Sequence, residues 1–219
     1  MIIDKTYFKG NLRVANVQED LTPLGSRTGN QPDLDEYIEK YEVEIMLNAL
    51  GYKEYKSFID SFEPDGTLKA GAEQRWVDLV NGKDYTSNGV ELKWRGLRYV
   101  LGSQKYSLIA EYVFYFFLRE QSRTFAGVGM VREKAKAAEN ESAIPRLADA
   151  WNDFVVKYQG DAELDEYPRL ITKPGLIGID YSLQFDSDDV SLYRFLVDNE
   201  VDYPDVKFKF YEGQNSLGI

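Results

Sequence analysis

The chain has 219 residues, a formal net charge of −11 and 43% hydrophobic residues, and it contains neither His nor Cys. This length and this hydrophobic content suffice for one large domain, or for a core with a small second lobe. The missing residue types exclude Ser-His-Asp and Cys-His nucleophile pairs, disulfides, and zinc sites with His or Cys ligands. The excess of negative charge disfavours general binding to free nucleic acid.

The first 32 residues are predicted to be an N-terminal arm. Its apolar residues indicate a short strand around Tyr7, Phe8, Leu12 and Val14. A polar loop rich in Gly, Pro and Asn follows, which is typical of a connection between elements.

Residues 33–160 are predicted to form a helical core. Asp33 begins a capping box, which marks the start of a first helix that ends at Gly51. A second helix has Pro64-Asp65-Gly66 as its stop, and a third, short helix ends near Asn81-Gly82. The inward face of the second helix is predicted to consist of Tyr52, Tyr55, Phe58, Ile59 and Phe62.

A hairpin is expected near residues 83–94. Asn88-Gly89 is the strongest two-residue turn signal, and Val90, Leu92 and Trp94 alternate with charged residues after it. An ordered loop is the alternative.

The stretch from Ser107 to Leu118 is predicted to be the central helix of the bundle. Only Glu111 is charged, and apolar or aromatic residues occur on every face. A helix that is apolar all round must be covered by other elements, and this one is shorter than the roughly 20 residues that a bilayer requires. We expect it to extend to Arg123.

A turn between helices is predicted at Gly127-Val-Gly129, because the third Gly and the preceding strand of a dinucleotide site are missing. A further amphipathic helix has Pro145 in its first turn and ends at Gly160.

Residues 161–219 are predicted to form a β-containing C-terminal lobe and tail. Strict alternation indicates strands at 177–185 and 206–210, with a short helix within 186–199 between them. The predicted fold is therefore mainly α, of the α+β class: a helical bundle around a central apolar helix, with a small β-containing lobe.

Two charged groups are candidates for an interface. The first is a run without acidic residues that comprises Lys93, Trp94, Arg95, Arg98, Tyr99 and Lys105. The second is the acidic cluster Asp186, Asp188 and Asp189. The basic run fits contact with nucleic acid, an acidic partner surface or an ordinary solvated hairpin edge. The acidic cluster belongs to residues 161–205, which contain twelve acidic and three basic residues. Opposite charges on two lobes predict a head-to-tail contact between subunits, in which this acidic lobe meets the basic run of a neighbour.

Enzymatic function is not expected from these residues. The acidic cluster lacks the Gly and the Glu that an EF-hand loop needs at its sixth and twelfth positions, so no metal or other cofactor is predicted. A carboxylate-dependent enzyme such as a glycosidase needs a defined pair of acids, and none stands out among 37. Such an enzyme and a monomeric protein-binding module remain the alternative functions.

Several segments resemble one protein family. They are Tyr7–Gly10, the helix segment Leu34–Glu42, Leu50–Tyr52, Lys93–Tyr99 before the aromatic helix, and Asn215–Ile219. In this order they are similar to the head–tail connector, or neck ring, proteins of crAss-like and related tailed bacteriophages. The resemblance covers nearly the whole chain and rests on structural rather than catalytic motifs.

The resemblance implies a structural protein of the virion without catalytic activity. Subunits of this kind form a ring, expected to be twelvefold, beneath the portal protein and around the DNA channel. The implied partners are the same chain, the portal, other neck and tail proteins, and DNA that passes without sequence-specific binding; a membrane is not among them. The implied location is the head–tail junction of the virion, after synthesis in the host cytoplasm.

Overall fold

The computed structural model describes residues 1–14, 34–121, 124–126, 129–131, 143–160 and 189–213. Within these residues the fold is mainly α with small β-hairpins, as predicted. The helices are α1 (Leu34–Ile59), α2 (Gln74–Asn81), α3 (Leu108–Gln121), α4 (Ala143–Gln159) and α5 (Leu192–Asp198). The strands form antiparallel pairs: β1 (Lys83–Ser87) with β2 (Val90–Trp94), β3 (Tyr99–Leu101) with β4 (Gln104–Tyr106), and β5 (Thr124–Ala126) with β6 (Gly129–Val131).

Helix α3 lies at the centre of the core, as its sequence predicts. It packs against α1 on one side and α4 on the other. Tyr41 of α1 stacks on Phe116 at a centroid distance of 4.3 Å, and Tyr115 contacts Trp151 of α4 at 4.6 Å. Nearly every side chain of the first ten positions of α3 is buried, so its apolar faces are covered by neighbouring elements.

Helix α1 is broken at Gly51, where the first of two separate helices was predicted to end. Gly51 has φ 76° and ψ 164°, a backbone conformation that favours glycine. Such a break leaves carbonyl groups of the preceding turn without helical partners. The N–H groups of Lys207 and Lys209 donate to two of them, those of Leu50 (3.2 Å) and Asn48 (2.8 Å). The C-terminal segment therefore completes the hydrogen bonding of α1.

The predicted strand at 206–210 is therefore wrong. The backbone of this segment forms hydrogen bonds with helix α1 instead of with another strand, and the described residues after α5 contain no strand. The other C-terminal strand, at 177–185, lies outside the described residues. The short helix between them is confirmed as α5, with Leu192, Phe195 and Leu196 buried.

The N-terminal residues form two short 3-10 turns, Lys5–Tyr7 and Gly10–Leu12, instead of the predicted strand. Ile2, Ile3 and Phe8 are buried in the same core as α3. The described part of the predicted arm is thus part of the core.

The turn signals between residues 83 and 131 had different outcomes. The Asn88-Gly89 hairpin is confirmed, with Lys83 opposite Trp94 and positive φ at both turn residues. Helix α3 is described to Gln121, and its predicted end at Arg123 lies outside the described residues; β5 and β6 pair as a hairpin where a helix-to-helix turn was predicted. The predicted inward residues Tyr52 and Ile59 are 76% and 42% exposed.

Phe114 and Phe117 test the central position of α3, because both side chains are almost fully buried. Replacing either by Ala leaves a cavity and should lower the free energy of unfolding by about 3–5 kcal/mol. Urea denaturation measures this, with Phe210→Ala, at a site 46% exposed, as the control that should lose much less. Equal losses at all three positions would contradict a central α3.

Candidate interface at the hairpins and the C-terminal segment

The strand β2 joins the hairpins to the C-terminal segment. The N–H of Val190 donates to the carbonyl of Lys93 at 3.0 Å, next to a parallel bridge between Lys93 and Asp189. Trp94 is buried, donates its indole N–H to the carbonyl of Leu79 and stacks on Phe195 of α5. Trp94 is therefore a core residue and does not belong to an exposed interface.

Arg95 and Asp189 pair within one chain. The guanidinium Nε lies 2.5 Å from Oδ2 of Asp189, and both side chains are largely shielded from water, at 19% and 12% exposure. The two groups were predicted to lie on separate lobes and to meet on neighbouring subunits. Folding instead brings them together, and Asp186 and Asp188 lie outside the described residues.

Arg98 holds the N-terminal segment. Its Nη1 donates to the carbonyl of Ile2 at 3.1 Å and, at 3.4 Å, to that of Gly66. The carboxylate of Glu42 accepts the N–H groups of Ile2 (2.8 Å) and Ile3 (3.2 Å). The backbone N–H groups of Ile2 and Ile3 and the carbonyl of Ile2 therefore all have hydrogen-bond partners, as buried peptide groups require.

Tyr99 and Lys105 lie on the hairpin β3–β4. Tyr99 stacks on Tyr106 with a centroid distance of 5.3 Å, and burial raises the pKa of its hydroxyl. Lys105 donates to the hydroxyl of Thr6 at 2.7 Å and lies 3.8 Å from the carboxylate of Asp4. The basic run is therefore bound largely to its own chain, to the N-terminal segment and to residues around Asp189.

The exposed part of this region is the tip of the same hairpin. Val100 is 64% exposed and Leu101 is 54% exposed, immediately before the turn at Gly102. The sequence prediction missed this hairpin because it treated residues 97–106 as the approach to α3. Gly102 between Tyr-Val-Leu and Gln-Lys-Tyr was the available signal.

Three buried carboxylates serve the fold. Glu42 binds the N-terminal backbone, Glu54 pairs with Arg75 at 2.8 Å, and Glu111 of α3 pairs with Lys157 of α4. Burial raises the pKa of Glu111 despite the opposing effect of Lys157, and its Oε2 makes no hydrogen bond. These contacts join α1 to the N-terminal segment and to α2, and they join α3 to α4.

No group of three acidic residues suited to hold a metal occurs among the described residues. None of the helices in the described part of the chain combines the length and apolarity needed to span a bilayer. No family model, curated protein or solved structure matches this chain.

Reversing Arg95 tests its structural pairing with Asp189. Arg95→Glu places two carboxylates against each other in a shielded site and should lower the free energy of unfolding by about 3 kcal/mol. Adding Asp189→Arg should recover at least half of that loss. Lys93→Glu is the control, because the exposed pair Lys93–Asp84, at 3.8 Å, should contribute less than about 1 kcal/mol. Chemical denaturation of the four proteins gives the result, and a double variant no more stable than Arg95→Glu would disprove the pairing.

The buried carboxyl of Glu111 predicts a pH-dependent stability. Because its pKa is raised in the folded chain, this group contributes stability below its ordinary pKa of 4.5, and the contribution is lost as the pH rises through the raised value. Glu111→Gln lacks this dependence. The unfolding free energy of the original chain, minus that of the variant, should therefore fall as the pH is raised above about 4.5. Urea titrations at several pH values test this, and a difference that grows with pH would contradict it.

Proposed function

We propose that this chain is a structural subunit of a phage virion, a head–tail connector that assembles into a ring beneath the portal around the DNA channel. The proposal rests on the resemblance of its segments to neck ring proteins. Two of these segments have structural roles: Tyr7–Gly10 lies in the N-terminal part of the chain that enters the core, and Lys93–Tyr99 joins the hairpins.

The observation that supports assembly is the apolar tip of the hairpin β3–β4. Val100 and Leu101 are adjacent in sequence, more than half exposed, and directly follow Lys93–Tyr99, one of the segments that carry the resemblance. Exposed apolar side chains are stabilised when a partner removes them from water, at roughly 25 cal/mol per Å². A ring requires a heterologous interface, in which a projection of one subunit enters a different surface of the next. A hairpin tip suits the projecting side of such a contact.

The net charge of −11 suits passage of DNA without binding, because an acidic surface repels phosphates. Under this proposal the partners are copies of the chain, expected in a twelvefold ring, the portal and other neck and tail proteins. The location is then the head–tail junction of the virion.

Under this proposal the chain has no catalytic activity. A carboxylate-dependent enzyme would need paired acids facing a cleft, whereas Glu42, Glu54 and Glu111 each contact a structural partner in the interior. These three acids are therefore not the carboxylate pair of such an enzyme. A monomeric binding module remains distinguishable by its assembly state.

Light scattering after size-exclusion chromatography, with and without the proposed portal partner, tests the assembly. We expect a ring-sized species, which cryo-electron microscopy would identify. The double variant Val100→Ser/Leu101→Ser should shift the chain towards monomer without lowering its melting temperature, because both sites are exposed. Val201→Ser, at a site 88% exposed elsewhere on the surface, is the matched control and should assemble normally. A strict monomer in the presence of the portal would overturn the connector proposal and leave a binding module.

A further inference from the structure

A basic groove runs along the second half of α1. It has a volume of about 470 Å³ and lies between this half of the helix and the loop that leads to α2. We define the basic groove by its lining residues, which are Lys53, Lys56, Ser57, Asp60, Ser61, Lys69, Gly71, Ala72 and Glu73. Three of these are lysines, contributed by two separate segments of a chain whose net charge is strongly negative.

Much of the positive charge in the groove is not neutralised by the fold. The ammonium group of Lys56 makes no hydrogen bond or ion pair with any residue that the structure describes. Lys69 donates to the backbone carbonyl of Asp60 at 2.7 Å, a bond that leaves its full charge uncompensated. Lys53 pairs with Asp205, but its side chain is 77% exposed, and exposed pairs are weak and exchangeable. The carboxylate of Glu73 is already held by Arg75 at 2.7 Å.

The helix face beside the groove carries exposed apolar side chains. Tyr52, Lys56 and Ile59 follow the i, i+4, i+7 spacing that places residues on one face of a helix. Tyr52 is 76% exposed and Ile59 is 42% exposed, one on each side of Lys56. The surface therefore presents apolar area on both sides of the unpaired ammonium group of Lys56, and the same groove also holds the ammonium groups of Lys53 and Lys69.

We propose that the basic groove is a docking site for an acidic, partly apolar polypeptide segment of a partner protein. Carboxylates of the segment bind Lys56 and Lys69 and exchange with Asp205 at Lys53, while its apolar side chains pack against Tyr52 and Ile59. The charges steer the segment and set its register, and the apolar contacts add affinity. The site acts in the single chain and does not depend on ring formation.

The groove favours an acidic peptide over a nucleic acid. A phosphate backbone places negative charge at every unit, and the carboxylates of Asp60 and Glu73 lie in the same groove. A peptide can place carboxylates at the lysines and neutral or apolar residues at the two acids. The surrounding protein, with its net charge of −11, also repels a polyanion more strongly than a short segment.

Fluorescence anisotropy with a labelled short peptide of Glu, Asp, Leu and Phe tests the proposal on the full chain. We expect saturable binding of this peptide that weakens as the salt concentration is raised. A control peptide with Gln and Asn in place of Glu and Asp should bind little. Lys56→Glu should weaken binding at least about tenfold, and Tyr52→Ser should weaken it by a smaller factor. Neither site is buried, so circular dichroism and melting temperature should be unchanged.

Lys9→Glu is the matched control, because Lys9 is exposed, lies in another part of the chain and undergoes the same change of charge. Loss of binding in Lys56→Glu but not in Lys9→Glu supports the groove. Equal losses in both variants, or no binding by the original chain, would overturn the proposal. Tighter binding of single-stranded DNA than of the peptide, abolished by Lys56→Glu, would overturn it in favour of a nucleic-acid site. Normal assembly with no peptide binding would reject the groove alone and leave the connector proposal standing.

Discussion

Burial of α3 on every side is the constraint on which the rest of the structure depends. Burying each large apolar side chain of such a helix stabilises the fold by roughly 1.5–3 kcal/mol, and the helix has no polar face that could be exposed to water. Helices α1 and α4 cover it from two directions. A tyrosine in this core needs a partner for its hydroxyl group, and the hydroxyl of Tyr112 donates to the carboxylate of Glu44 in α1 at 2.7 Å. Much of the high Tyr and Phe content thus serves this core.

The break in α1 gives the C-terminal segment its place. Because Gly51 is not helical, the backbone carbonyls of Asn48 and Leu50 accept hydrogen bonds from Lys209 and Lys207, which lie more than 150 positions away in sequence. The same segment is joined to α1 and α2 by Arg75, which donates both to Glu54 and to the carbonyl of Asp202 at 2.8 Å. The described C-terminal residues consequently belong to the main core, and Phe195 and Tyr203 lie within it.

Features encoded by neighbouring residues could be predicted from the sequence. The turn at Asn88-Gly89, the end of α2 before Gly82 and the all-round apolarity of α3 depend on local chemistry alone. The alternation at 206–210 does correspond to an alternating set of backbone hydrogen bonds, from the N–H groups of Lys207 and Lys209. Their acceptors lie on the broken helix α1, however, and no local sequence pattern could identify that partner. At the candidate interface, the sequence identified charged residues and missed the exposed hairpin tip beside them, because exposure is decided by packing.

Charge counted along the sequence is a poor guide to charge in space. Arg95 and Asp189 are 94 positions apart and belong to segments of opposite charge, yet they lie 2.5 Å apart in one chain. Exposed charges are largely screened from one another beyond roughly 10 Å at 0.1 M salt, and an unpaired charge in a shielded site is costly. The pairs that matter are therefore those that folding brings into contact. A segment with high formal charge can therefore present little charge to a partner. The charges available for recognition are those that the fold leaves unmatched, and in the described chain Lys56, between two exposed apolar residues, is a clearer case than any member of the basic run.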